Sequence, residues 1–260
     1  VAPIALTIAG SDPSGGAGLQ ADLKTFHQHG VYGQAVVTLL TVQNTVRVSR
    51  VEPLDDGLVV EQLRAVLEDL PPAAAKTGAL GSAATVRAIA REAGGFSFPL
   101  VVDPVMISKH GAPLMSEEAA QTLVNDLLPC AALVTPNLHE AAALSGRPAG
   151  TIKEMRLAAQ VLRERTGAAV LVKGGHLEGS AVDLLLVEGV FHEFPGARIE
   201  TPHTHGTGCT YSAAITANLA RGLSLLESVA RARHFIAEAI ATNPGLGHGH
   251  GPVNHFASIF

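Results

Sequence analysis

Short apolar runs of strand length alternate with segments of helical period along almost the whole chain. Two of those runs, Leu100-Val101-Val102 and Val170-Leu171-Val172, are apolar at consecutive positions. A strand with one wet face alternates apolar and polar residues, so a continuous run marks a strand covered on both faces, as in a parallel sheet between two helical layers. Strands are predicted at Ile4–Ala9, Gly33–Val42, Ala73–Thr77, Leu100–Val102, Ala131–Thr135, Ala168–Val172 and Ala181–Val187. Between them, Leu19, Leu23 and Phe26 recur at helical spacing, as do Leu63, Val66, Leu67 and Leu70, and Met155–Arg165 continues the pattern. A last helical block, from about Thr207 to Asn243, is expected to break near Gly222-Leu223-Ser224. This alternation predicts an α/β fold with a doubly wound, mainly parallel sheet, helices on both faces, and a single domain over residues 1–260. Such sheets bind ligands at the carboxyl ends of their strands.

Composition narrows the function. Hydrophobic residues make up 47% of the 260 and charged residues only 16%, the opposite of a disordered chain. Lys+Arg 18 against Asp+Glu 23 gives a net charge of −5, which leaves no broad basic surface for nucleic acid. Aromatic residues at 4%, with no Trp, provide no base-stacking platform. The longest apolar stretch, Ala35–Val42, falls well short of the ~20 residues that cross a bilayer, so no membrane partner is expected. No basic residue precedes Lys24, so no secretory leader is read. Two cysteines, Cys130 and Cys209, build neither a disulfide scaffold nor a four-thiolate zinc site and suggest a reducing, cytoplasmic setting.

Chemistry-bearing residues gather where strands lead into helices. The first such joint is Gly10-Ser11-Asp12-Pro13-Ser14-Gly15-Gly16-Ala17-Gly18. Its glycines let backbone approach a ligand, and Asp12 and Ser14 can hydrogen-bond a polar substrate; a plain turn with a helix cap is the alternative. It matches neither the Walker spacing nor G-x-G-x-x-G. Late in the chain, Thr204-His205-Gly206-Thr207-Gly208-Cys209-Thr210 precedes a helix, whose open amides attract anions and would stabilise a phosphoryl group in transfer. Cys209 falls in the first turn, where the helix field is expected to lower its pKa; the alternative is a small buried hydrophobe.

Only five of the 18 basic residues are lysines, and one of them, Lys173, ends a strand in Lys173-Gly174-Gly175-His176. It is either a phosphate partner or a solvated strand-end charge. In Thr135-Pro136-Asn137-Leu138-His139-Glu140, Asn137 and Glu140 lie one helical turn apart. Their oxygens suit Mg²⁺, and an N-capping arrangement fits them nearly as well. Asp103, in Asp103-Pro104-Val105-Met106, adds a carboxylate on the same edge. Twelve histidines include the tract Gly247-His248-Gly249-His250-Gly251, whose glycines would fix metal ligands poorly. That tract is expected to lie against a nucleotide or a neighbouring subunit.

In this order the segments AGSDPSGGAGLQADLKT, TVQNT, DPVM, TPNLHE, KGGH, HGTGCT and GHGHGPVNHF resemble the hydroxymethylpyrimidine/phosphomethylpyrimidine kinases of thiamine biosynthesis, within the ribokinase-like fold. The resemblance covers essentially the whole chain. It implies ATP- and Mg²⁺-dependent phosphorylation of 4-amino-5-hydroxymethyl-2-methylpyrimidine and then of its monophosphate. It implies that Gly10, Asp22, Gln43, Ala79 and Val105 contact the pyrimidine. It further implies that Lys173 and the amides of Gly206, Thr207 and Gly208 hold the transferring phosphoryl group. Asn137 and Glu140, with Lys173 and Thr207, would hold Mg²⁺ and the nucleotide phosphates, and Cys209 would stand where the broader fold carries an aspartate general base. Ala79 departs from the methionine common in the family, which implies a roomier pocket. A homodimer is expected by the same resemblance. The nearest rival is a pyridoxine or pyridoxal kinase of the same fold, and a remoter one is a non-catalytic vitamin sensor.

Overall fold

The computed structural model describes residues 2–109, 111–175 and 181–259. Its strands are β1 (Ile4–Ser11), β2 (Tyr32–Gln43), β3 (Val48–Pro53), β4 (Ala74–Thr77), β5 (Leu100–Val102), β6 (Leu133–Val134), β7 (Ala169–Val172), β8 (Ala181–Val187) and β9 (Val190–Gly196). They form one sheet in the order β3-β2-β1-β4-β5-β6-β7-β8-β9. Pairing from β2 through β7 is parallel. Antiparallel pairs β2/β3 and β7/β8/β9 finish the two sides.

The consecutive apolar runs divide their side chains between two cores. Leu100 and Val102 enter one core and Val101 the other. Val170 and Val172 likewise part from Ala169 and Leu171. On the first side lie α2 (Asp56–Asp69), α3 (Ala83–Ala93), α4 (Glu117–Thr122), α5 (Leu138–Ser145) and α6 (Ile152–Thr166), contributing Leu63, Ile89, Ala119, Leu144 and Leu162 as buried residues. On the second lie α1 (Gly18–Gln28), α7 (Thr207–Ala220) and α8 (Leu225–Ala241), packed through Phe26, Ala213, Ile215 and Phe235. The fold is therefore the α/β, mainly parallel sheet with helices on both faces that the apolar runs predict.

The expected break in the last helical block is present. α7 ends at Ala220, Gly222 takes φ +84°, and the Ser224 side chain accepts from the Glu227 amide to start α8. Two strands escape the sequence reading, β3 and β9. Both are short, carry polar or charged residues, and are held by pairing with β2 and β8 rather than by apolar pattern. The expected strand at Ala131–Thr135 shrinks to Leu133–Val134, because Ala131 still closes the preceding turn and Thr135 already leaves the ladder toward the site.

Candidate active site

The carboxyl ends of β1, β2, β4, β5, β6 and β7 and the start of α7 surround a cavity of about 760 Å³. The residues that the family resemblance implies for substrate, phosphate, metal or catalysis all line it: Gly10, Asp22, Gln43, Ala79 and Val105; Asn137, Glu140 and Lys173; and Gly206 through Cys209. Ser14, read from the first joint as a possible substrate contact, does not. His176, from the Lys173 motif, lies outside the described residues.

At one end, Thr41 and Gln43 alternate with Leu40 and Val42 along β2, so the polar pair faces the cavity while the apolar pair is exposed. Gly10 has no room for a side chain, since a Cβ there would strike Leu39 Cδ1. Asp22, on α1, is fully buried and ion-paired with Lys76 of β4 at 2.8 Å, and it accepts from Thr7 Oγ1 at 2.6 Å. Burial opposes the Lys76 charge, but Asp22 and the nearby Asp103 hold its pKa above the usual lysine value. Lys76 was not recognised from the sequence. Its signal is a lysine inside the apolar run Ala73-Ala74-Ala75-Lys76, where a charge persists only with a buried partner.

Lys173 extends from the end of β7, where its amide donates to the Pro136 carbonyl. Its Nζ reaches Asp103 Oδ1 at 2.9 Å, and only 14% of the side chain is exposed. The solvated strand-end alternative therefore fails. Asp103 also accepts from Thr135 Oγ1 at 3.2 Å, and the Ser212 hydroxyl lies 3.2 Å from its other oxygen. Although burial works against ionisation, Lys173 and Lys76 keep the Asp103 carboxyl below its ordinary pKa. A Cβ on Gly208 would sit 3.4 Å from Lys173 Nζ and 3.7 Å from Asp103 Oδ2, so the lysine stands directly against the first turn of α7.

Asn137 and Glu140 form a reciprocal capping box on α5. Asn137 Oδ1 accepts from the Glu140 amide at 2.9 Å, and Glu140 Oε2 accepts from the Asn137 amide at 2.8 Å. The capping alternative is thus what the structure contains, and it occupies the Asn137 oxygen. Glu140 remains able to meet a cation beside Asp103 and Lys173. Burial pushes its carboxyl up to about 7, with Lys173 pulling the other way.

Two expectations are corrected. The Cys209 thiol does not titrate low: burial, reinforced by Asp22 and Asp103, pushes it up to about 12, against the pull of Lys76 and the Gly18 amide. The helix field is outweighed by desolvation and two carboxylates. Asp12 is not available to a substrate, because its carboxylate accepts from Ser14 N and Oγ, Gly16 N and Ala17 N and meets His205. The Gly247–Gly251 tract packs on its own chain, where the His250 amide donates to the Thr45 carbonyl at 2.7 Å and Gly247 and Gly249 abut Thr45.

The phosphomethylpyrimidine kinase family matches residues 12–254. A Rhizobium meliloti protein named hydroxymethylpyrimidine/phosphomethylpyrimidine kinase is 48% identical over 258 residues, covering 97% of both chains. Among solved structures, an ADP complex of Bacillus subtilis pyridoxal kinase superposes with a TM-score of 0.92 at 38% identity, covering 99% of this chain and 98% of its own. Phosphomethylpyrimidine kinase from Clostridium difficile 630 gives 0.82 at 41% identity, covering 92% of this chain and 99% of its own.

Proposed function

This chain belongs to the phosphomethylpyrimidine kinase family, and from that premise we propose that it transfers phosphoryl groups from ATP to 4-amino-5-hydroxymethyl-2-methylpyrimidine and then to the monophosphate. The observation that carries this reading is the position of Lys173 against the glycine-rich first turn of α7, in the same cavity as Gln43 and Asp22. A cation and open helix amides suit a phosphoryl group whose charge is spread over its oxygens in the transition state. Gln43 offers an amide donor and acceptor to a ring with an amino group and ring nitrogens. Gly10, Ala79 and Val105 complete the walls of the ring site, Ala79 leaving space where the family's methionine would stand.

The donor set fits Mg²⁺, which takes one or two carboxylates and otherwise waters and phosphates. Glu140 is the metal-side ligand, close enough to Asp103 for the two charges to interact. Asn137 anchors Glu140 through the capping box, and Thr207 lies with Lys173 on the phosphate side of the cavity. Bound there, the metal neutralises phosphate charge. Cys209 abuts the acceptor hydroxyl as a neutral thiol. The chain works as one kinase domain in the cytoplasm and pairs as a homodimer. Among the described residues no helix is long and apolar enough to cross a membrane.

A pyridoxal kinase remains the rival because a pyridoxal kinase structure superposes on the whole chain. An ATP-turnover assay with the hydroxymethylpyrimidine, its monophosphate and pyridoxal decides between them. The expected result is product from both pyrimidines at a higher kcat/KM than from pyridoxal. The reverse order makes the rival the function.

A further inference from the structure

The two glycine loops that enclose the reacting groups touch each other through a buried polar contact between side chains. His205 Nε2 lies 2.8 Å from Asp12 Oδ2, and both side chains are almost wholly buried. Around that contact the backbones meet with no space for side chains. A Cβ on Gly16 would lie 2.6 Å from His205 Cδ2, and a Cβ on Gly206, at φ +78°, would run into the Gly16 carbonyl. Asp12 is the organiser of residues 12–17, since its two oxygens take the Ser14, Gly16 and Ala17 amides and the Ser14 hydroxyl. Hydrogen bonds from His205 and Ser14 outweigh burial and keep Asp12 below the usual carboxylate pKa. An ionised carboxylate only accepts, so His205 carries its proton on Nε2 and donates.

His205 is held just as firmly from behind. Its amide donates to the Gly251 carbonyl at 3.0 Å, and its carbonyl accepts from Val253 at 3.4 Å. Through the same tail, the His250 amide reaches the Thr45 carbonyl, two residues beyond Gln43. The histidine therefore joins the loop after β1, the loop before α7 and, through the C-terminal tail, the turn that follows Gln43.

We propose that His205 is a positioning residue: its hydrogen bond to Asp12 latches the 10–18 loop onto the 204–208 loop and so aligns the acceptor hydroxyl with the phosphoryl group. The role rests on the reading that these loops serve phosphoryl transfer. Alignment acts on turnover more than on binding, because a misplaced acceptor still occupies its pocket while the reactive geometry is lost. The latched loop also reaches Cys209, whose thiol, only partly exposed at the cavity wall, is met by the Gly18 amide at the end of that loop.

His205→Ala, His205→Gln and the parent are compared with ATP and whichever of the pyrimidine or pyridoxal the parent phosphorylates. In parallel, iodoacetamide alkylation of Cys209 and Cys130 is followed by peptide mass mapping, and Tm is recorded. His205→Ala is expected to lose 10- to 100-fold in kcat, as small misplacements do. Both KM values should stay within about threefold, a factor too small to signal a lost binding contact. Cys209 should alkylate severalfold faster while Cys130, outside the cavity, keeps the parent rate. His205→Gln places an amide donor near the Nε2 position and should recover most of the turnover. If His205→Ala does not fold, Asp12→Asn removes the charge at constant shape and is expected to show the same kcat loss and faster Cys209 alkylation. Parent-level turnover, a rise in KM that accounts for the whole loss, or unchanged Cys209 alkylation overturns the latch. Should the parent phosphorylate neither ring, the functional reading fails, and the alkylation arm still decides the latch.

Discussion

At the scale of single residues, the site is governed by charges placed where water is scarce. Two lysines and two carboxylates, Lys76, Lys173, Asp22 and Asp103, act on Cys209, and burial with the two carboxylates keeps its thiol protonated near neutral pH. A loose phosphoryl-transfer transition state asks little activation of the attacking hydroxyl. Cys209→Ser is therefore expected to lose less than about tenfold in kcat, against the ~10²–10⁴ of a lost general base. The parent kcat should show no rising limb between pH 6 and 9 that the serine variant lacks; a loss of 10² or more would reinstate a thiolate base. Glu140 gives a second test. Its carboxyl titrates at about 7 in the fold and at 4.5 when free, so the unfolded chain releases the proton first. The stability penalty thus grows from about pH 4.5 and levels off above 7. Glu140→Gln, which retains a capping oxygen, should raise the Tm of the ligand-free protein at pH 8, leave it nearly unchanged at pH 5, and lower turnover with Mg-ATP. Calorimetry at the two pH values checks the sign, and an equal shift at both removes the ionisation argument.

At the scale of elements, the beginning of α7 is the most tightly built part of the site. Its N-cap, Gly206, is left-handed rather than extended and lies against the Gly16 carbonyl, so both conformation and space demand glycine. Gly206→Ala is expected to cost about 1–3 kcal/mol from the strained φ alone and more from the displaced loop. Turnover should fall further than stability explains, which chemical denaturation beside kinetics will separate; a variant with parent turnover would detach the loop from phosphoryl transfer. How far these elements were legible in the sequence follows from the same physics. The strands β1, β5, β7 and β8 were visible because double-sided burial writes continuous apolar runs, and the strand-end joints followed from the parallel sheet. Edge strands β3 and β9 were not, since one partner strand and a polar exterior leave no pattern to read. Nor were the pairs Lys76–Asp22 and Asp12–His205, whose partners are 54 and 193 residues apart. The sign of the Cys209 shift was misjudged for the same reason: local sequence shows the helix start, while the opposing carboxylates arrive from β5 and α1.

At the scale of the whole molecule, the sheet ends on one side in a ribbon that its own chain leaves uncovered. β2 pairs with β1 mainly through Tyr32–Val37 and with β3 through Leu39–Gln43, so the second half of β2 runs out beyond the parallel sheet. On the face away from the cavity Leu40 and Val42 are 48% and 56% exposed, and Val46, in the turn that follows, is 56% exposed. An apolar ribbon at a sheet edge invites a second chain unless charge guards it, and Arg50 and Glu52 on β3 neutralise each other in an ion pair. A second copy seated there would also stiffen Gln43, which alternates with Val42 on the same strand and faces the ring site. The parent is therefore expected to scatter light as twice its 26.8 kDa mass, and Val42→Lys as a single chain at micromolar concentration. Because the lysine points away from the cavity, the KM for ATP should be unchanged, whereas the KM for the ring substrate should rise severalfold as the ribbon loosens. A parent of single mass would rule out the pairing, and a lysine variant that stays paired would move the interface elsewhere. A monomeric variant with an unchanged ring KM would show that the ribbon holds Gln43 without its partner.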